Sequence, residues 1–141
     1  MIGKREEEYL ETIYEIVADK GYAKVTDVAK DMNLGPSAVT EMFQKLDDKG
    51  YIDYKKYSGV TLTKKGKVVA KNLINEHEIW EEFFRKIGLD SEIAAEDACR
   101  IEHIVNPHTT EKIDNLVTYF EDYPEHLESY FEHTKKSKHR G

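Results

Sequence analysis

The sequence predicts a mainly α chain with a small β wing: an N-terminal winged helix-turn-helix followed by a C-terminal helical domain. Apolar residues recur at helical spacing through most of the chain. Two short β-rich runs, Gly50 to Tyr54 and Gly59 to Thr63, interrupt that pattern once. A Gly35-Pro36 step falls between two helical patterns, where a helix-turn-helix needs its turn.

The first helix reads from Arg5 to about Asp19. Leu10, Ile13, Tyr14 and Val17 fall at i, i+3, i+4 and i+7, with Glu8, Glu11 and Glu15 on the opposite edge, and Lys20-Gly21 stops it. A short second helix follows Thr26, read as its N-cap, with Val28, Ala29 and Met32 inward. Asn33-Leu34-Gly35 turns the chain, and Pro36 opens a third helix, where its missing N–H costs nothing. Val39, Met42, Phe43 and Leu46 form that helix's apolar stripe. The two β runs, joined by Lys55-Lys56-Tyr57-Ser58, read as a hairpin.

Thr63 is placed to cap a long fourth helix that runs to about Ile87 and ends at Gly88. A fifth opens at Ser91 and stops before Pro107. A sixth starts near Thr109 or Thr110, carries Ile113, Leu116, Val117 and Phe120 on one face, and ends before Pro124. The last seventeen residues hold one or two more turns around Leu127, Tyr130 and Phe131, and the segment from Lys135 onward reads as frayed.

A length of 141 residues suits one domain or two small ones sharing a helical junction, which we divide as 1–71 and 72–141. No run of 18 apolar residues exists, and the first twenty residues carry acids where a signal peptide needs an apolar segment, so a cytoplasmic protein without a membrane partner is expected. One cysteine excludes an internal disulfide. The net charge of −7 divides unevenly: +1 over residues 1–71 and −8 over the remainder. Between Tyr54 and Asn75 six lysines occur with no acid, a basic patch ahead of an acidic half.

Helix, short helix, turn, helix and basic hairpin is the order of a winged helix-turn-helix, whose third helix enters the major groove of double-stranded DNA. Pro36, Ser37, Thr40, Glu41, Gln44 and Lys45 lie on or open the free face of that helix, and Gln44 has the amide that pairs with adenine. Lys55, Lys56 and Tyr57 at the wing tip would meet phosphates, which position without specifying.

The second half raises a different chemistry. In the stretch DACRIEH the only cysteine, Cys99, stands three residues before Glu102 and four before His103, so a continuing helix would put a soft, a hard and a borderline donor on one face. His77 and Glu81 are i, i+4 on the fourth helix, and Glu8 and Glu11 are i, i+3 on the first. Taken singly, each has an ordinary explanation, since a lone Cys is usually a small buried hydrophobe and His77 borders the stripe of Leu73, Trp80 and Phe84. Their coincidence on three helices points to a divalent metal.

The whole chain resembles the diphtheria toxin repressor family of metal-dependent regulators, in its short manganese-regulator form without an SH3-like domain. The carrying motifs are EEYLETIY at 7–14, VTDVAKDMNLGPSAVTEMFQKLDDKGYI at 25–52, LTKKG at 62–66, NEHEIWEEF at 75–83 and DACRIEH at 97–103. The resemblance implies a homodimeric repressor of metal-uptake genes that binds a palindromic operator, with one or two ions per subunit and a C-terminal metal-binding and dimerisation domain.

It places Glu11, His77, Glu102 and His103 on ligand positions of the manganese regulators, and Glu8 where these have an aspartate and the iron-type members a methionine. Glu81 matches a glutamate of the iron-type second site, whose histidine is replaced here by Ala95. Cys99 stands where the manganese form has a glutamate and the iron-type form a cysteine. A thiolate favours Fe²⁺ over Mn²⁺, while the carboxylates favour Mn²⁺; from Cys99 we expect Fe²⁺ ahead of Mn²⁺. The sixth helix is the candidate dimer surface, its plain intrachain packing being the alternative.

Two other classes fit some of the residues. A divalent-metal hydrolase would need a general base and a substrate pocket, and leaves the winged helix unexplained. A winged-helix regulator sensing an organic ligand would leave the His and Cys merely buried. An enzyme and an organic substrate are therefore not expected.

Overall fold

The computed structural model describes residues 2–136. Among them the order is α1 (Lys4–Lys20), α2 (Val25–Met32), α3 (Pro36–Asp48), β1 (Ile52–Lys55), β2 (Gly59–Leu62), α4 (Lys64–Lys86), α5 (Ser91–Ile101), α6 (Pro107–Asp122) and α7 (Pro124–Lys136). The mainly α chain with a small two-stranded antiparallel wing is therefore what forms. It divides into two units, one ending at Asn75 and one beginning at Glu76. No helix among the described residues is long and apolar enough to cross a membrane.

The first unit is built around Tyr9, Leu10 and Ile13 of α1, Val28 of α2, Val39, Phe43 and Leu46 of α3, and Ile52, Val60 and Leu62 of the wing. The buried side of α1 runs through Glu6, Tyr9, Leu10 and Ile13, whereas Tyr14 and Val17 pack only at the margin. The expected stripe was thus placed one turn, four residues, too late, because a tyrosine with a buried ring outweighs a valine near the helix end. α2 also departs from expectation. It begins at Val25 rather than after Thr26, because Asp27, inside the first turn, accepts the Lys24 N–H at 2.9 Å and the Lys20 ammonium at 2.9 Å.

In the wing Ile52 pairs with Leu62 and Lys55 with Gly59, the pairing of the two β-rich runs. Ala23, ahead of α2, bridges to Val60 through two N–H···O bonds of 2.9 and 2.7 Å. A side chain at Gly59 would stand 2.6 Å from the Ala23 oxygen, on a backbone with φ of 90°, so this approach requires glycine. Gly66 meets the same demand from the other side: a Cβ there would lie 2.0 Å from the Tyr51 oxygen. Thr63 caps α4 as expected, accepting the Gly66 N–H at 3.1 Å while donating to the Gly50 oxygen at 2.7 Å.

In the second unit the Trp80 ring of α4 is 5% exposed and packs with Phe83 and Phe84. Asp90 caps α5 by accepting the Ile93 N–H at 2.9 Å. α5 ends at Ile101 and a turn follows, well short of Pro107. α6 starts at Pro107, not at Thr109 or Thr110, because Asn106 accepts the His108 N–H at 2.8 Å and the proline occupies the first helical position. On α6 Val117 is buried, Ile113 and Phe120 are half-buried and Leu116 is exposed.

The C-terminal segment is more regular than expected. α7 runs for 13 residues, and Lys135 and Lys136, expected to fray, lie in its last turn. The Tyr119 hydroxyl hydrogen-bonds His126 Nδ1, and Tyr123 stacks on His126, joining α6 to α7 by local aromatic contacts. The rest of the expected frayed end, 137–141, lies outside the described residues.

Candidate metal centre and nucleic-acid interface

His77 and Glu81 stand one turn apart on α4, and His77 Nε2 lies 3.0 Å from Glu81 Oε1. Its other nitrogen, Nδ1, lies 3.0 Å from Glu102 Oε2. The second oxygen of Glu102 lies 3.1 Å from His103 Nε2, and these two side chains are each only 1% exposed. A run of four groups results, Glu81, His77, Glu102 and His103, alternating carboxylate and imidazole.

Electrostatics follow from that alternation. The Glu102 carboxylate holds His77 above the usual imidazole range; burial works against this, and Glu81 adds to it. A carboxylate buried as deeply as Glu102 needs a cationic partner nearby. His77 and His103 stand at its two oxygens, and a divalent cation would meet that need through the same nitrogen and oxygen atoms. Imidazole with carboxylate is a donor set for first-row divalent metals, so these residues fit such an ion.

The local geometry differs from expectation at one point. α5 stops at Ile101, yet its C-cap Glu102 keeps helical dihedrals (φ −58°, ψ −29°) and donates its N–H to the Ala98 oxygen, so it stays three residues on from Cys99 along the helix, while His103 lies in the following turn. That turn is what lets two sequence neighbours, Glu102 and His103, approach each other. Cys99 is exposed on the last turn of α5. Glu8 and Glu11 lie three apart on α1, both half-buried, and Glu8 has Arg5 at 3.6 Å.

On the first unit Pro36, Ser37, Glu41, Gln44 and Lys45 of α3 are exposed and Thr40 is half-buried. Lys55, Lys56 and Tyr57 are exposed at the wing; Tyr57 is 90% exposed, with the Lys56 ammonium 5.7 Å from its ring centre. Lys24 was not singled out from the sequence because it lies outside the basic segment. Folding brings it beside Lys56 and Tyr57 around an open cavity of about 260 Å³.

Glu6 was missed for another reason. It belongs to the Glu6-Glu7-Glu8 run, which reads as a solvated face, yet it is 6% exposed and paired with Lys49 at 2.8 Å and Lys45 at 3.6 Å. Its spacing of four from Leu10 and seven from Ile13 was the available signal.

Metal-dependent, DNA-binding transcriptional regulators are the class that these two units define. Family comparison bears this out over nearly the full chain: residues 1–60 match the iron dependent repressor N-terminal DNA binding domain, and residues 63–131 match the iron dependent repressor metal binding and dimerisation domain. The chain belongs to this family, that of the diphtheria toxin repressor, which its motifs resembled. It carries domains for DNA, for metal and for pairing with a second copy, and the family is one of regulators rather than enzymes.

The HTH-type transcriptional regulator MntR of Bacillus velezensis is 46% identical over 116 residues, 82% of each chain. MntR of Bacillus subtilis is 41% identical over 133 residues, 94% of each chain. Among solved structures the manganese regulator SloR superposes with a TM-score of 0.70 at 29% identity, covering 81% of this chain and 54% of SloR.

Proposed function

We propose that this chain is a cytoplasmic, homodimeric repressor of metal-ion uptake genes that binds a palindromic operator when loaded with one or two divalent ions per subunit. The observation that supports this best is the convergence of His77 and His103 on the buried Glu102 carboxylate, with Glu81 on the far side of His77. In this reading residues 1–71 serve DNA, residues 72–141 serve metal and dimerisation, and the exposed side of α6 around Leu116 meets the second copy.

The proposed ligand set is Glu8, Glu11, His77, Glu81, Cys99, Glu102 and His103. Metal bound by these residues would select a DNA-competent state, which is all that a ligand can do to such an equilibrium. Two copies would then present their α3 helices to half-sites about one helical turn apart, with Pro36, Ser37, Thr40, Glu41, Gln44 and Lys45 at the groove and Lys55, Lys56 and Tyr57 at the backbone.

For the ion we place Mn²⁺ ahead of Fe²⁺. The relatives do not support the Fe²⁺ preference drawn from Cys99: SloR is a manganese regulator. Carboxylates, the donors that suit Mn²⁺, also outnumber the single thiol.

DNA binding by anaerobically purified protein, with and without Mn²⁺ or Fe²⁺, tests the reading together with metal analysis of the same sample. Affinity that rises with metal is expected. Equal affinity in its presence and absence overturns the switch.

A further inference from the structure

α1 carries two kinds of acid. Glu8 and Glu11 belong to the proposed metal site, whereas Glu6 turns inward beside Tyr9 and Leu10. Its carboxylate reaches α3. Oε2 accepts a hydrogen bond from the Lys49 ammonium at 2.8 Å, Oε1 lies 3.6 Å from the Lys45 ammonium, and the Gly3 N–H donates to Oε1 at 3.4 Å. A charge-assisted bond between residues 43 apart therefore ties the first turn of α1 to Lys49, the C-cap of α3.

Lys45 and Lys49 are themselves one turn apart, and Glu6 lies between their two charges. The Lys45 side chain stays 55% exposed, so it keeps its reach toward a phosphate while its root is held near Glu6. Glu6 and Glu8 point to different sides of α1 but share its backbone, so a shift of that helix carries both.

We infer that Glu6 is a positioning residue that couples metal occupancy of α1 to DNA affinity, through its ion pairs with Lys49 and Lys45. The inference rests on the metal-switch reading above. Coupling between two ligands is reciprocal: the factor by which Mn²⁺ raises DNA affinity equals the factor by which DNA raises Mn²⁺ affinity. A residue that only stabilises the fold leaves that factor alone. Glu6 sets it.

The test uses the full chain and a duplex selected from a random-sequence pool by the Mn²⁺-loaded protein. DNA affinity is measured with and without Mn²⁺, and Mn²⁺ affinity by calorimetry without DNA, for the parent, Glu6→Gln, Lys49→Met and the double variant. Lys49 is an exposed position, so Lys49→Met carries the test even if Glu6→Gln folds poorly. Each single variant is expected to shrink the Mn²⁺-induced gain in DNA affinity by about fivefold or more, with Mn²⁺ affinity in the absence of DNA nearly unchanged. The double variant should lose no more than either single one, since both break the same link. A parent that responds to Mn²⁺ and variants that keep its full gain overturn the inference alone. A parent that does not respond overturns the switch and the inference together.

Discussion

The Trp80 indole N–H donates to the Thr110 hydroxyl at 3.1 Å, a buried bond between α4 and the first turn of α6. Thr110 is 3% exposed, so its oxygen has little access to water. The bond fixes the rotation of α4 about its own axis, and His77 lies one turn before Trp80 on that helix. The direction in which His77 faces Glu102 is therefore set partly by a contact that involves no metal donor.

Replacing Trp80 by Phe keeps most of the buried ring area and removes the donor. Leaving the Thr110 hydroxyl buried and unpaired should cost about 1–3 kcal/mol, read by urea unfolding. Thr110→Val removes the other partner, and the double variant should lose less than the sum of the two single losses. Additive losses would show that the two residues stabilise the unit independently.

Helix periods, the hairpin, the helix start at Pro36 and the cap at Thr63 were legible because each depends on neighbours within a few residues. The α6 start was misread for the same reason turned around: Asn106-Pro107 reads equally as the stop of one helix and the start of the next. Of the site, His77 and Glu81 could be paired from their spacing alone. The contact of His77 with Glu102 could not, because it depends on how α4 and the end of α5 pack. Glu6 was hidden by its sequence neighbours, Glu7 and Glu8, and only the burial of one turn of α1 separates it from them.

Asp27 should make part of the stability of the first unit depend on pH. The Lys20 ammonium and the Lys24 N–H hold its carboxyl below the usual carboxylate range, with burial opposing. A depressed carboxyl stabilises the fold above the unfolded-chain value, about 4, and that contribution is lost as pH falls through the lower folded value. Asp27→Asn should therefore cost on the order of 1 kcal/mol at pH 7, a difference that shrinks on acidification below pH 4. Urea unfolding of both proteins across this range checks it, and a pH-independent difference would contradict the charge-based account.

The wing lysines should act on DNA affinity without acting on sequence choice. Lys56 is exposed at the wing beside Tyr57 and Lys24, where a phosphate is the expected contact. Lys56→Ala should weaken binding to every duplex alike and reduce the slope of log affinity against log salt by about one. Gln44→Ala, on the exposed face of α3, should instead change which duplexes are preferred. Anisotropy titrations at several salt concentrations separate the two, and a Lys56 variant with altered sequence preference would move the wing from positioning to readout.

As a proposed ligand, Cys99 would decide how soft the metal site is. Its exposed place on the last turn of α5 means that Glu can replace it at little cost to the fold. If the thiolate is a ligand, Cys99→Glu exchanges a soft donor for a hard one and raises the affinity for Mn²⁺ relative to Co²⁺, whose thiolate complexes are favoured by the parent. The parent loaded with Co²⁺ should also show a thiolate charge-transfer absorption that the variant lacks. An unchanged metal ranking and no such band in the parent would take Cys99 out of the ligand set. The ion would then rest on carboxylates and imidazoles alone, a set that favours Mn²⁺ more strongly than the mixed one.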